Sequence, residues 1–243
     1  MSDALDYRES HLHKGADYDA GLAADGFDGY MAVLERKILP KLCAKWFPDG
    51  IPRYLDFACG TGRATQFFET LADEPYGVDV SESMVEEARQ KCSKTTFILQ
   101  DITQQPLDMP PFDVISAFRF FGNAQDELRD AVMKELVSYL KEGGYLVFNN
   151  HRNTSTVHGL ISRCTGEEGP GQFSHARVKQ LVRDHGLVIR KLYGIGFWLF
   201  RYKYYEPRFL NSTAAKLLEP ISKLPLLGRY CPDYVVVAQK VTR

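Results

Sequence analysis

Short apolar runs rich in β-branched and aromatic residues recur along the chain. Between them lie longer stretches whose apolar residues fall three or four apart. The short runs predict strands at Arg53–Ala58, Pro75–Val80, Thr95–Gln100, Asp113–Phe118, Gly144–Asn149, Leu187–Gly194 and Tyr234–Val241. The longer stretches predict helices between most of them, so strand and helix alternate from about residue 53 to 194. Such alternation implies a doubly wound α/β fold, because parallel neighbours need crossover connections that lay helices on both faces. Ligands on such sheets bind beyond the carboxyl ends of the strands. Local punctuation agrees: Ser81-Glu82-Ser83 precedes the periodic Met84–Lys91, and Lys141-Glu142-Gly143-Gly144 closes the helix that holds Ala131–Leu140.

Two segments lie outside the alternation. Residues 1–50 carry seven acidic and two basic side chains in the first thirty positions, followed by an amphipathic helix over Tyr30–Phe47. Residues 195–230 are aromatic-rich, with six basic residues against two acidic ones. The 243 residues suit one elaborated domain, with 1–50 as a helical leader, 53–194 as the core, 195–230 as an insertion and 231–243 as the last strand.

A charged fraction of 25%, a hydrophobic fraction of 44% and a net charge of −1 are those of an ordinary globular protein. They lack the basic excess that non-specific nucleic-acid binding needs, so no nucleic-acid partner is expected. Five scattered cysteines without a C-x-x-C pair suit a reducing cytoplasm. No run is long enough to span a membrane, and the first residues do not read as a secretory signal.

The candidate chemistry begins after the first predicted strand, at Asp56-Phe57-Ala58-Cys59-Gly60-Thr61-Gly62-Arg63-Ala64-Thr65, which leads directly into a helix. Glycines there permit a sharp turn and close approach of a ligand to the helix N-terminus. Asp79 ends the second strand, where a carboxylate can hold both ribose hydroxyls of a nucleoside. A lone G-x-G does not separate a cofactor loop from a plain turn, but strand, glycine turn, helix and a second-strand acid together do. A dinucleotide site wants a third glycine where this chain has Thr65, and gives no reason for an acid at position 56.

These residues resemble the first motif of class I S-adenosylmethionine-dependent methyltransferases. The resemblance extends through Gly77-Val78-Asp79-Val80, Gln100-Asp101-Ile102, Phe112–Phe118 and Leu140–Phe148, covering about residues 53–150. It implies a Rossmann-like, mostly parallel seven-stranded sheet whose last strand is antiparallel, with a substrate lid between the last two strands. It implies S-adenosylmethionine as cofactor. Asp56, Ala58, Gly60, Thr61, Gly62 and Arg63 would lie at its amino-acid end, Asp79 at the ribose, Val80, Met84, Asp101 and Ile102 around the adenine, and Phe118 on the wall.

Methyl transfer from a sulfonium asks the protein mainly to align and desolvate two reactants. A hydroxyl or amine acceptor also gains from a base, whereas a carboxylate acceptor needs only orientation. His151, just past the fifth strand, is the candidate base, and a surface histidine capping the strand end is the alternative. Arg119 could meet an acidic substrate group, or be a solvated arginine paired with Asp126 or Glu127. Tyr18 in the leader is a candidate for the cofactor carboxylate. Trp198, Arg201 and Tyr205 could stack and anchor an acceptor, or pack on the sheet edge with their polar groups solvated. His11 and His13 lack companions at ligand spacing, so no metal is expected.

A small-molecule acceptor, methylated on oxygen or nitrogen, is the leading expectation. A macromolecular acceptor, protein or RNA, is the alternative, although Phe118-Arg119-Phe120-Phe121-Gly122-Asn123 departs from the Asn/Asp-Pro-Pro-aromatic motif common in base methylation. A non-catalytic cofactor-binding module and a misread dehydrogenase are the other readings.

Overall fold

The computed structural model describes residues 26–151, 153–156, 159, 173–196, 213–218, 220, 224 and 227–241. Its elements in chain order are α1 (Gly26–Trp46), β1 (Ile51–Phe57), α2 (Thr65–Phe68), β2 (Ala72–Asp79), α3 (Glu82–Lys91), β3 (Thr96–Leu99) and β4 (Phe112–Ala117). They continue with α4 (Asp126–Tyr139), β5 (Leu140–His151), α5 (His175–Asp184), β6 (Leu187–Ile195), α6 (Thr213–Leu218), a 3-10 turn at Gly228–Tyr230, and β7 (Asp233–Lys240).

The seven strands form one sheet in the order β3-β2-β1-β4-β5-β7-β6, with β7 antiparallel to both of its neighbours. Successive residues of each central strand serve opposite faces, as the pleat requires. Leu55, Ile115, Leu146 and Val236 join one apolar cluster with Val132, Met133 and Leu136 of α4 and Val178 and Val182 of α5. Tyr54, Val114, Val147 and Val235 join the other, with Met31, Leu34, Leu39 and Leu42 of α1 and Phe68 of α2. Thus α1 covers one face of the sheet. Among the described residues no helix is long and apolar enough to cross a membrane.

Boundaries differ from the sequence expectation where pairing decides them. Strand β2 starts at Ala72 rather than Pro75, because Ile51 pairs with Ala72 and Tyr54 with Pro75. Pro75, which has no N–H to donate, is tolerated because β3 begins pairing only at Tyr76. Strand β5 starts at Leu140, not Gly144: Phe112 pairs with Leu140 and Val114 with Tyr145, so the glycine turn expected to precede the strand lies within it as an irregularity. Gly143 takes φ 78 there. At its other end β5 runs on to His151, which pairs with Asp233.

Candidate active site

The carboxyl ends of β1, β2 and β4 open onto a crevice. Its wall includes Asp56, Ala58, Gly60, Thr61, Arg63, Asp79, Val80, Met84, Asp101, Ile102, Phe118 and Arg119. The structure therefore brings together all but one of the described residues expected at the cofactor. The exception is Gly62. At φ 79 it sits against α3, where an added Cβ would lie 3.1 Å from both Ala88 Cβ and Cys92 Sγ. Its glycine serves helix packing, whereas a Cβ on Gly60, at φ 53, would meet no protein atom within 4 Å.

Asp56 is 1% exposed. Thr65 Oγ1 donates to its Oδ2 at 2.6 Å and Ser116 Oγ to its Oδ1 at 2.5 Å. Ser116 also meets the Tyr54 hydroxyl at 2.6 Å. Burial pushes the Asp56 carboxyl up from 3.8 to about 6, against the opposing effect of the two hydroxyls and of Arg63. The residue standing where a dinucleotide loop has its third glycine thus binds the strand acid instead.

Asp79 fastens the glycine turn to β2. Its Oδ2 accepts from the Gly60 amide at 2.8 Å and its Oδ1 from the Ser81 amide at 2.9 Å. Ser81 caps α3 by accepting from the Met84 amide. Asp101 accepts from the amide and the hydroxyl of Thr103 at 2.9 and 2.7 Å, which fixes its side chain past the end of β3. Arg63 reaches back to Glu35 of α1 at 2.9 Å, and the Glu35 side chain is 2% exposed. Helix α1 therefore supports the turn from below.

The β4 side of the crevice corrects one expectation. His151 is 1% exposed, not a surface histidine, and is not among the described residues that line the crevice. The extension of β5 carries it into the sheet, where its Nδ1 faces Asp233 Oδ2 at 3.4 Å and its Nε2 accepts from Arg119 Nη2 at 3.2 Å. Arg119 does line the crevice, while Asp126 pairs with Arg129 and Arg177.

Tyr18, Trp198, Arg201 and Tyr205 lie outside the described residues. Sequence reasoning missed Phe120, Leu128 and Val132, which complete the apolar wall. The spacing of Leu128 and Val132, one helical turn apart on α4, is the signal that could have found them, but core residues share it. Among the described residues no cluster of metal-ligating side chains occurs.

Residues 55–144 match the family model described as a methyltransferase domain. The chain is 30% identical over 149 residues to a trans-aconitate 2-methyltransferase of Rhizobium rhizogenes, covering 59% of this chain and 55% of that protein. It is 30% identical over 115 residues to a malonyl-[acyl-carrier protein] O-methyltransferase of Enterobacter lignolyticus, covering 47% and 45%. The chain thus spans about half the length of the curated relatives it matches. Its fold is like that of a magnesium protoporphyrin IX methyltransferase from Synechocystis crystallised with S-adenosylhomocysteine, with a TM-score of 0.63 at 18% identity over 96% of this chain and 97% of that one. The domain match, the strand order and the acids and Gly60 around the crevice agree with the resemblance to the class I S-adenosylmethionine-dependent methyltransferases.

Proposed function

We propose that the chain takes a methyl group from S-adenosylmethionine and transfers it to an oxygen or nitrogen of a small molecule. The observation that carries this reading is the crevice, with the glycine turn at its floor and three acids, Asp56, Asp79 and Asp101, at or just past the ends of β1, β2 and β3. The residues fit the cofactor. Gly60 presents open space where a side chain would intrude, and an apolar patch of Val80, Met84 and Ile102 adjoins Asp101. In this reading Asp79 holds the ribose, Asp101 the adenine amino group, and Asp56 with the turn the amino-acid end. The cofactor supplies a methyl already bonded to a sulfonium leaving group. The chain's own work is to align the acceptor and exclude water, for which Phe118, Phe120, Leu128 and Val132 provide a dry wall.

The trans-aconitate relative, whose named acceptor is a small molecule, supports the acceptor class. Tyr18 is assigned to the cofactor end, and Trp198, Arg201 and Tyr205 to a lid over the acceptor, within one domain that works in the cytoplasm without nucleic acid. The test is incubation of the purified protein with methyl-labelled S-adenosylmethionine and, in parallel, the metabolite, protein and RNA fractions of one cell extract. A labelled small molecule is the expected product. Label recovered only in protein or RNA would overturn the acceptor class, and no calorimetric binding of S-adenosylhomocysteine would overturn the cofactor.

A further inference from the structure

Among the described residues two non-glycines take left-handed backbone, Ala58 at φ 51 and Arg119 at φ 61, and both line the crevice. Such strain persists only where the surroundings over-determine it. Around Arg119 they do. Its amide donates to Asn149 Oδ1 at 2.6 Å, and its carbonyl accepts from Asn123 Nδ2 at 2.6 Å. Gly122 presses on the main chain of His151, so that a Cβ there would come within 2.0 Å of the His151 carbonyl oxygen. The guanidinium donates to His151 Nε2.

The support closes on itself. Asn149 Nδ2 donates to Asp233 Oδ2 at 3.2 Å, and the same oxygen faces His151 Nδ1. Asn149, His151 and Asp233 are each at most 1% exposed. An arginine has no acceptor, so Nε2 of His151 must accept and the neutral imidazole carries its proton on Nδ1, toward Asp233. A histidine held this way cannot take a proton from an acceptor without first releasing Arg119.

The ring also has a direction. Asp56, Asp79 and Asp101 belong to β1, β2 and the end of β3, on one side of β4; His151 and Asp233 belong to β5 and β7, on the other. Arg119 is therefore held from the half of the sheet away from the three acids. We infer that Arg119 grips a carboxylate of the acceptor, and that Asn149, His151 and Asp233 are positioning residues that fix the guanidinium at the crevice. The inference rests on the methyl-transfer reading, which makes that half the acceptor's. A planar fork set in one orientation is the geometry that bidentate carboxylate binding uses.

The test uses the whole protein loaded with S-adenosylhomocysteine and titrated calorimetrically with succinate and citrate at constant ionic strength, with inorganic phosphate as the comparison anion. The loaded wild type is expected to bind at least one carboxylate. Arg119→Gln should weaken that binding about tenfold or more, the loss of a charge-assisted pair, while the affinity for S-adenosylhomocysteine stays unchanged. His151→Leu should weaken it too, and His151→Gln, whose amide oxygen can accept from Arg119, should restore much of it. If His151→Leu does not fold, the half-buried Arg119 still decides the matter.

Three results would each overturn the inference: loaded wild type that binds phosphate or nothing, Arg119→Gln that weakens S-adenosylhomocysteine equally, or His151→Gln no better than His151→Leu. Failure of the wild type to bind S-adenosylhomocysteine would sink the methyl-transfer reading itself. That result is seen before any carboxylate is added.

Discussion

Asp56 sets the stability of this fold against its proposed use. Its carboxyl is fully buried among the hydroxyls of Thr65 and Ser116, and burial pushes it from 3.8 to about 6. A carboxyl raised in the folded state favours the protonated form there, so its contribution is most favourable below pH 3.8 and is lost as pH rises to about 6. At about 1.36 kcal/mol per pKa unit, carrying the charge at neutral pH costs the fold about 3 kcal/mol. Asp56→Asn keeps the size and one acceptor oxygen and removes the charge, its Nδ2 donating to one hydroxyl where the carboxylate accepted from it. Urea denaturation followed by circular dichroism should find the variant more stable than wild type by up to about 3 kcal/mol near pH 7.5, with the gap shrinking steadily as pH falls toward 4. Calorimetry should find its affinity for S-adenosylmethionine reduced, because the carboxylate that would face the cofactor's ammonium is gone. A gap that does not change with pH, or a variant less stable than wild type at neutral pH, would refute the reasoning.

Asp79→Ala should lower the affinity for S-adenosylhomocysteine at least about tenfold and the stability by about 1–2 kcal/mol, because the Gly60 and Ser81 amides lose their acceptor; unchanged affinity by calorimetry would remove the ribose assignment. Gly62→Ala combines φ 79 with contacts of 3.1 Å to Ala88 and Cys92 and should destabilise by about 1–3 kcal/mol. A melting temperature equal to that of wild type would contradict the packing of the turn on α3. Glu35→Ala leaves the largely covered Arg63 guanidinium without its carboxylate and should cost toward the lower end of about 3–5 kcal/mol. Glu35→Gln, still able to accept from Arg63, should cost less in the same denaturation assay.

What the sequence by itself determined was everything carried by neighbours along the chain. The alternation of periods announced the wound sheet, Ser81 announced the start of α3, and the run from Asp56 to Thr65 with Asp79 announced the turn and its two acids. Each of these signals is complete within a few residues, because pleat, helix cap and glycine turn are local geometries. The tertiary structure decided what those residues touch. Thr65 became a donor to Asp56, Gly62 a packing glycine against α3, and His151 a buried partner of Arg119 rather than a group on the crevice wall. The ring that holds Arg119 joins residues 30, 32, 84 and 82 positions apart. No local pattern encodes such distances. They follow from the order and register of β4, β5 and β7, which only the packing of the whole sheet sets.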